Sequence, residues 1–105
     1  MGSIFRVNEA DVAWFDYEPG IRVKALTRGQ AGVAATQYVE YGPGHTDPVH
    51  SHETDEVFVV IDGEVTLDGM DGASGPGGIV FIARDTEYAV RAGPQGARYF
   101  RIVVS

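Results

Sequence analysis

The sequence contains no cysteine among its 105 residues. Disulfide bonds, cysteine-based zinc sites and thiol nucleophiles are therefore excluded, and the absence of cysteine fits a cytoplasmic protein. Basic residues are also few: 8 Lys and Arg stand against 15 Asp and Glu, which gives a formal net charge of −7. Because a phosphate backbone binds to basic surfaces, this balance argues against a nucleic-acid partner.

Long apolar segments are absent as well. The longest apolar runs, at 57–61 and 79–83, are far shorter than the roughly 20 residues that a membrane-spanning helix needs. The N-terminus lacks the apolar stretch of a secretory signal, and Arg6 stands where a myristoylation motif has Ser or Thr. We therefore expect a cytoplasmic protein with no membrane partner.

Glycine and short apolar segments make up much of what is present, with 14 Gly and 44% hydrophobic residues. Apolar and polar residues alternate over 21–27, and further strand-like segments run over 32–41 and 97–104. Gly and Pro separate these segments, as in the turn at 28–32, and no helical period of useful length occurs. We predict an all-β fold of about eight short strands, a jelly-roll-type barrel formed by residues 1–105 as one domain.

The residues with the most specific chemistry lie within 44–63. His50, His52 and Glu56 share parity, and alternate side chains of an extended chain point to the same face. Two imidazoles and one carboxylate on a common face are a ligand set for a divalent transition metal. The sequence therefore predicts a metal site, with all three ligands on one strand of the barrel.

The neighbouring segments predict how that strand ends. The Asp62-Gly63 pair is typical of a tight turn, so we expect the strand that contains Glu56 to return as a hairpin over 64–68. The glycine-rich stretch 69–78 lacks the Lys-Ser/Thr of a phosphate-binding loop and is interpreted as a flexible connector. Because residues 57–61 are apolar on both faces, a second subunit is expected to cover one of them, in a homodimer.

The spacing within 44–63 also resembles the first motif of the cupin superfamily. Gly44, five residues, His50, one residue, His52, three residues, Glu56, six residues and Gly63 reproduce that motif with no position missing. The resemblance implies a small β-barrel that holds a metal through the two histidines and the glutamate.

The stretch 77–92 is similar to the second cupin motif in degraded form. Gly77 is kept, but Tyr88 stands where the family has the histidine that completes the metal site. Three roles are open for Tyr88: a fourth metal ligand beside His50, His52 and Glu56, a general acid or base, or an aromatic that fills the barrel. The other departures are at Ala83, Asp85 and Ala92.

Other candidate residues have simpler interpretations. We expect His45 to be a surface-loop histidine, and Asp47, Glu53 and Asp55 to form a solvated rim. An inward arginine, from Arg84, Arg91 or the last strand, could clamp a substrate carboxylate, but arginines at sheet edges usually face solvent.

A cavity for a small, partly apolar molecule is expected above the ligands, lined by Phe58, Val60 and Phe81. One divalent transition metal per chain is the expected cofactor, and Fe, Mn, Ni, Co, Cu and Zn all accept this ligand set.

Three functions are compatible with such a site. We rank first a metal-dependent oxygenase, because residues 14–26 resemble the segment that precedes the barrel in cupins close to anti-sigma-factor metal-binding domains and acetylacetone dioxygenases. The second is a non-redox cyclase, isomerase or lyase, in which the metal acts as a Lewis acid and Tyr88 or Glu56 moves a proton. The third is a sensor that binds metal and ligand without turnover.

Overall fold

The computed structural model describes residues 2, 4–28 and 34–104. Within these ranges six strands form one sheet in the order β1-β2-β3-β6-β4-β5, and every neighbouring pair is antiparallel. The all-β prediction is thus confirmed, and no helix in the described ranges is long and apolar enough to cross a membrane. The strands are β1 (Phe15–Glu18), β2 (Ile21–Thr27), β3 (Ala35–Tyr41), β4 (Asp55–Leu67), β5 (Ile79–Ile82) and β6 (Val90–Val104).

Strand β2 begins and ends where the alternating pattern predicts. Ile21 and Val23 are buried on the inner face of the sheet, as expected from their parity. Strand β3 begins at Ala35 rather than at residue 32. Apart from Arg28, the predicted turn at 28–32 lies outside the described residues.

Strand β4 does not turn back at Gly63, so the predicted hairpin over 64–68 is wrong. The strand continues to Leu67 and keeps its pairing with β6 on both sides of the glycine. Gly63 has a φ of 68° and is flanked by register shifts, which is the geometry of a bulge that bends a strand. A Cβ at this position would lie 2.1 Å from the Gly96 carbonyl oxygen, so only glycine allows β6 to approach.

This bend also explains the number of strands. Strands β4 and β6 contain 13 and 15 residues, and each passes through the bend where two short strands were expected. The structure therefore has six strands in its described part instead of about eight.

The second half of the connector over 69–78 is held by backbone hydrogen bonds. Ser74 exchanges two of them with Val65, at 2.8 and 3.0 Å. Gly77 and Gly78 each bond to Val60, at 2.9 Å. The second half of the segment thereby extends the pairing along β4, and the flexibility of the connector remains a prediction.

The N-terminal segment packs on the outer face of the sheet. Trp14 stacks on Tyr38 with ring centroids 5.4 Å apart, and Tyr38 stacks on Phe100 at 4.6 Å. Lys24 donates to the Glu9 carbonyl at 2.8 Å. These contacts cover part of the outer face at β2, β3 and β6, while the inner face forms the cavity and core.

Candidate metal centre

The inner face encloses a cavity of about 480 Å³. Phe58 lines it, as predicted, but Val60 lies in the core and does not reach the cavity. Phe81 is 64% exposed and faces outward, because Val80 and Ile82 are the β5 residues that point inward. The prediction that Val60 and Phe81 line the cavity is therefore wrong: parity along β5 was assigned to the opposite face.

Strand register gives the cavity two polar ends. Arg101 pairs with Gln37, whereas Ala97, four residues earlier on β6, pairs with Tyr41. At a rise of about 3.3 Å per residue, these two rows lie about 13 Å apart along the strand. The histidine end consists of His50, His52, Glu56, Tyr88 and Arg101, and the acidic end consists of Glu18, Tyr41, His45 and Asp47.

Glu56 is the centre of the histidine end and has no exposed surface. The Tyr88 hydroxyl donates to Glu56 Oε2 at 2.5 Å, and Arg101 Nη2 donates to Glu56 Oε1. Arg101 Nη1 also donates to Gln37 Oε1 at 3.1 Å. The buried carboxylate thus has both oxygens satisfied, which its burial requires.

The two histidines reach this end from outside β4, so the prediction of three ligands on one strand is wrong. His50 precedes the strand and pairs with Tyr88 through two backbone hydrogen bonds of 2.9 Å. His52 lies in the following loop, where its carbonyl accepts from the Asp85 N–H at 2.8 Å. These backbone bonds fix the loop beside the start of β4, where His52 Nε2 lies 3.7 Å from Glu56 Oε1. The His50 ring lies 5.0 Å from the His52 ring and 4.5 Å from the Tyr88 ring.

The chemistry of the donor set, two imidazoles and a carboxylate, fits a divalent metal. His50 Nδ1 lies 2.8 Å from the Pro48 carbonyl oxygen, which can only accept, so Nδ1 is the donor and Nε2 is the nitrogen that could face a metal. Metal-binding histidines usually make this kind of outer bond. His52 Nε2 lies 3.7 Å from Glu56 Oε1, close to the separation of roughly 3–3.5 Å between donors that surround one ion. His50, His52 and Glu56 would therefore hold the metal.

Tyr88 lies against this ligand set with only 4% of its surface exposed. Burial raises the pKa of Tyr88 well above its usual range, and the hydrogen bond to Glu56 raises it further, while Arg101 acts in the opposite direction. The phenol therefore keeps its proton at neutral pH. Its position supports proton donation, and its roles as ligand or acid remain predictions.

The acidic end differs from its prediction. Asp47 is buried and accepts a hydrogen bond from the Tyr41 hydroxyl, so it does not belong to a solvated rim. His45 is partly buried, with Nε2 3.9 Å from Asp47 Oδ1. The absence of a side chain at Gly20 admits its ring, since a Cβ there would lie 2.4 Å from His45 Nδ1. His45 is therefore not a simple surface-loop histidine.

The two ends of the cavity also differ in the distances between their donor atoms. Within the described ranges, Glu18, His45 and Asp47 are the three His or acidic side chains whose donor atoms all lie within 4.8 Å of one another. The predicted set at the histidine end does not meet this distance. The acidic end is therefore a second candidate metal site.

The other two rim residues, Glu53 and Asp55, behave as expected. Glu53 is exposed, and Asp55 accepts the Arg84 backbone N–H at 2.9 Å.

Arg101 points inward, although arginines at sheet edges were expected to face solvent. Its shared parity with Tyr99, which is buried, is the sequence signal that could have identified it.

Comparisons with known proteins agree with this architecture. The family model of the ChrR cupin-like domain matches residues 3–90. The dimethylsulfoniopropionate lyase DddW of Ruegeria pomeroyi is 36% identical over 62 residues, 57% of this chain and 41% of that protein. This chain therefore spans about two fifths of that relative's length.

Solved structures show the same barrel. The polyketide cyclase RemF of Streptomyces resistomycificus is 26% identical, with a TM-score of 0.79 over 97% of this chain and 80% of that chain. The anti-sigma protein ChrR of Rhodobacter sphaeroides, solved in complex with SigE, is 22% identical, with a TM-score of 0.76 over 89% and 50% of the two chains. These likenesses confirm the predicted jelly-roll barrel, and the chain belongs to the ChrR cupin-like domain family of the cupin superfamily.

Proposed function

We propose that this chain is a metal-dependent enzyme that transforms a small organic molecule by proton transfer, as a lyase, isomerase or cyclase does. The observation that carries the proposal is the 2.5 Å hydrogen bond between the Tyr88 hydroxyl and Glu56, beside His50 and His52. This bond supports the proposal, because the Tyr88 hydroxyl has a proton that could be transferred beside the expected metal ligands.

Each part of the histidine end has a role in such a reaction. A divalent metal held by His50, His52 and Glu56 would supply Lewis-acid polarisation of a substrate carbonyl. Tyr88 keeps its proton until a substrate atom accepts it, because burial raises the pKa of this phenol. Phe58 contacts Tyr88 edge-on, with ring centroids 6.4 Å apart, and makes that side of the ring apolar.

The comparisons favour this reaction class over oxidation. DddW is named a lyase and RemF a cyclase, and neither kind of reaction needs an external oxidant. The oxygenase that the sequence ranked first remains a prediction, since no observation on the cavity tests it. A sensor without turnover also remains a prediction, supported by the family match to the cupin-like domain of ChrR.

Anaerobic turnover separates these functions. The metal-loaded protein is incubated without oxygen with a panel of small molecules that begins with dimethylsulfoniopropionate, the substrate named for DddW. We expect turnover by the wild type and by Tyr38→Phe, a control on the outer face, but not by Tyr88→Phe. Turnover that requires oxygen would establish the oxygenase instead, and full activity of Tyr88→Phe would remove Tyr88 from the mechanism.

We also propose that the chain forms a homodimer through the outer face of β4 and β5. Two cross-strand pairs, Val57 with Phe81 and Val59 with Ile79, form adjacent apolar rows there. Ile79 and Phe81 are both more than half exposed, as is expected of a face that a second copy covers. Light scattering after gel filtration should give the mass of two chains, and the mass of one chain would contradict the proposal.

A further inference from the structure

The cavity contains one permanently charged cation among its described lining residues, the guanidinium of Arg101. About a fifth of this side chain is exposed, and its two terminal nitrogens contact Glu56 and Gln37. A guanidinium presents donors in a planar fork that matches a carboxylate. In the structure, one nitrogen of this fork donates to a carboxylate of the protein itself, Glu56, and the other donates to Gln37.

That same carboxylate is an expected metal ligand. Glu56 Oε1 accepts the hydrogen bond from Arg101 and is also the oxygen that lies 3.7 Å from His52 Nε2. A divalent cation that binds between His52 and Glu56 therefore approaches the oxygen that Arg101 occupies. The metal and the guanidinium are both positively charged and repel each other when both lie beside Glu56 Oε1. They therefore compete for this carboxylate.

We propose that Arg101 is the anion-binding residue of the cavity, which is released from Glu56 when a cation binds there and then holds the carboxylate of a small ligand. The proposal rests on the metal centre of the proposed function. The ligand class is a small organic carboxylate. The guanidinium would bind the carboxylate, and the organic part would contact the apolar residues that line the cavity between its two ends. These residues include Val23, Val39, Phe58 and Val90.

One consequence is cooperative binding. A metal that frees Arg101 raises the affinity for a carboxylate, and by linkage the carboxylate raises the affinity for the metal by the same factor. A second consequence is that removal of the guanidinium should strengthen metal binding while abolishing this cooperativity. A purely structural arginine would show neither effect.

The test is a titration with Co²⁺, followed by its visible absorption, of the metal-free wild type, Arg101→Gln and Arg98→Gln. Arg98 is the matched control, because it lies on the same strand and bonds to Glu40 on the outer face. Each titration is repeated with propionate and with its neutral analogue propionamide. No substrate turnover is required.

We expect Arg101→Gln to bind Co²⁺ about tenfold more tightly than the wild type, because no buried cation opposes the metal. Propionate should tighten Co²⁺ binding about fivefold or more in the wild type and in Arg98→Gln, and should have no effect in Arg101→Gln. Propionamide should have no effect in any of the three.

Other results overturn the proposal in distinguishable ways. If propionate still tightens Co²⁺ binding in Arg101→Gln, the metal rather than Arg101 holds the anion, and the metal centre stands. If the wild type and Arg101→Gln bind Co²⁺ equally, Arg101 does not compete for Glu56. If neither protein binds Co²⁺, the metal centre of the proposed function fails together with this inference.

A second variant covers the case in which Arg101→Gln does not fold. Arg101→Lys keeps the positive charge beside Glu56 but has a single ammonium that cannot form a planar fork. We expect its Co²⁺ affinity to stay close to that of the wild type and its response to propionate to fall. An unchanged response would show that the guanidinium does not bind the anion.

Discussion

Two glutamates of this sheet are each held by arginine, but on opposite faces. Glu56 has no exposed surface and bonds to Arg101 inside the cavity. Glu40 keeps 22% of its side chain exposed and bonds to Arg22 at 2.7 Å and to Arg98 at 2.8 Å on the outer face. The bonds are chemically alike, and the surroundings differ.

The difference in burial means that the two ion pairs contribute differently to stability. An ion pair open to solvent adds little to stability, because water competes for both charges. A buried charge is costly and is often replaceable by apolar residues with no loss of stability. The chain nevertheless places Glu56, Tyr88 and Arg101 together in its interior, and the proposed metal and proton chemistry gives a reason for this cost.

The largest expected effect comes from breaking the inner pair. Without metal, Arg101→Gln leaves the Glu56 carboxylate buried without its cation, which should cost about 3–5 kcal/mol in the free energy of unfolding. The matched variant Arg98→Gln on the outer face should cost at most about 1 kcal/mol. Urea unfolding in the presence of a chelator measures both, and equal losses would show that the two faces do not differ.

A smaller effect is expected from the second donor to Glu56. Tyr88→Phe removes the hydroxyl bond to a charged oxygen, which should cost about 1.5–3 kcal/mol. Metal content should stay unchanged, because His50, His52 and Glu56 all remain. Loss of the metal in this variant would instead identify Tyr88 as a fourth ligand.

The smallest effect concerns pH and the outer glutamate. Burial alone would raise the pKa of Glu40, but hydrogen bonds from Arg22 and Arg98 lower it below its usual value of 4.5. A carboxyl whose pKa is lowered by folding stabilises the protein above its unfolded pKa, and this contribution disappears as the pH falls through the folded pKa.

Thermal unfolding followed from neutral pH to below pH 4.5 should therefore show a smaller loss of stability for Glu40→Gln than for the wild type. An identical loss in both proteins would show that the outer pair contributes nothing to acid sensitivity.

The sequence allowed candidate ligands to be named, but not their positions in the fold. The motif spacing identified His50, His52 and Glu56 as candidate ligands, and their role in metal binding remains a prediction. It could not show that only Glu56 lies on a strand, since parity assumes an extended chain and residues 51–54 form a loop. A turn and a bulge both use a glycine with positive φ, so Gly63 was misinterpreted.

Alternation along a strand likewise separates two faces without showing which one is inside. This is why Phe81 was placed in the cavity and Arg101 was not expected there. Contacts between distant strands, such as those that set Arg101 beside Glu56, decide the inward face. These contacts are not encoded in local spacing.

The most direct test of the metal centre is the metal content of protein purified without chelators, for the wild type and for His50→Ala combined with His52→Ala. We predict about one divalent metal per chain in the wild type and none in the double variant, which should remain a folded β protein because packing supplies most of its stability. No metal in the wild type would contradict the metal centre. Equal metal in both proteins would also contradict it and would assign the metal to Glu18, His45 and Asp47 at the acidic end.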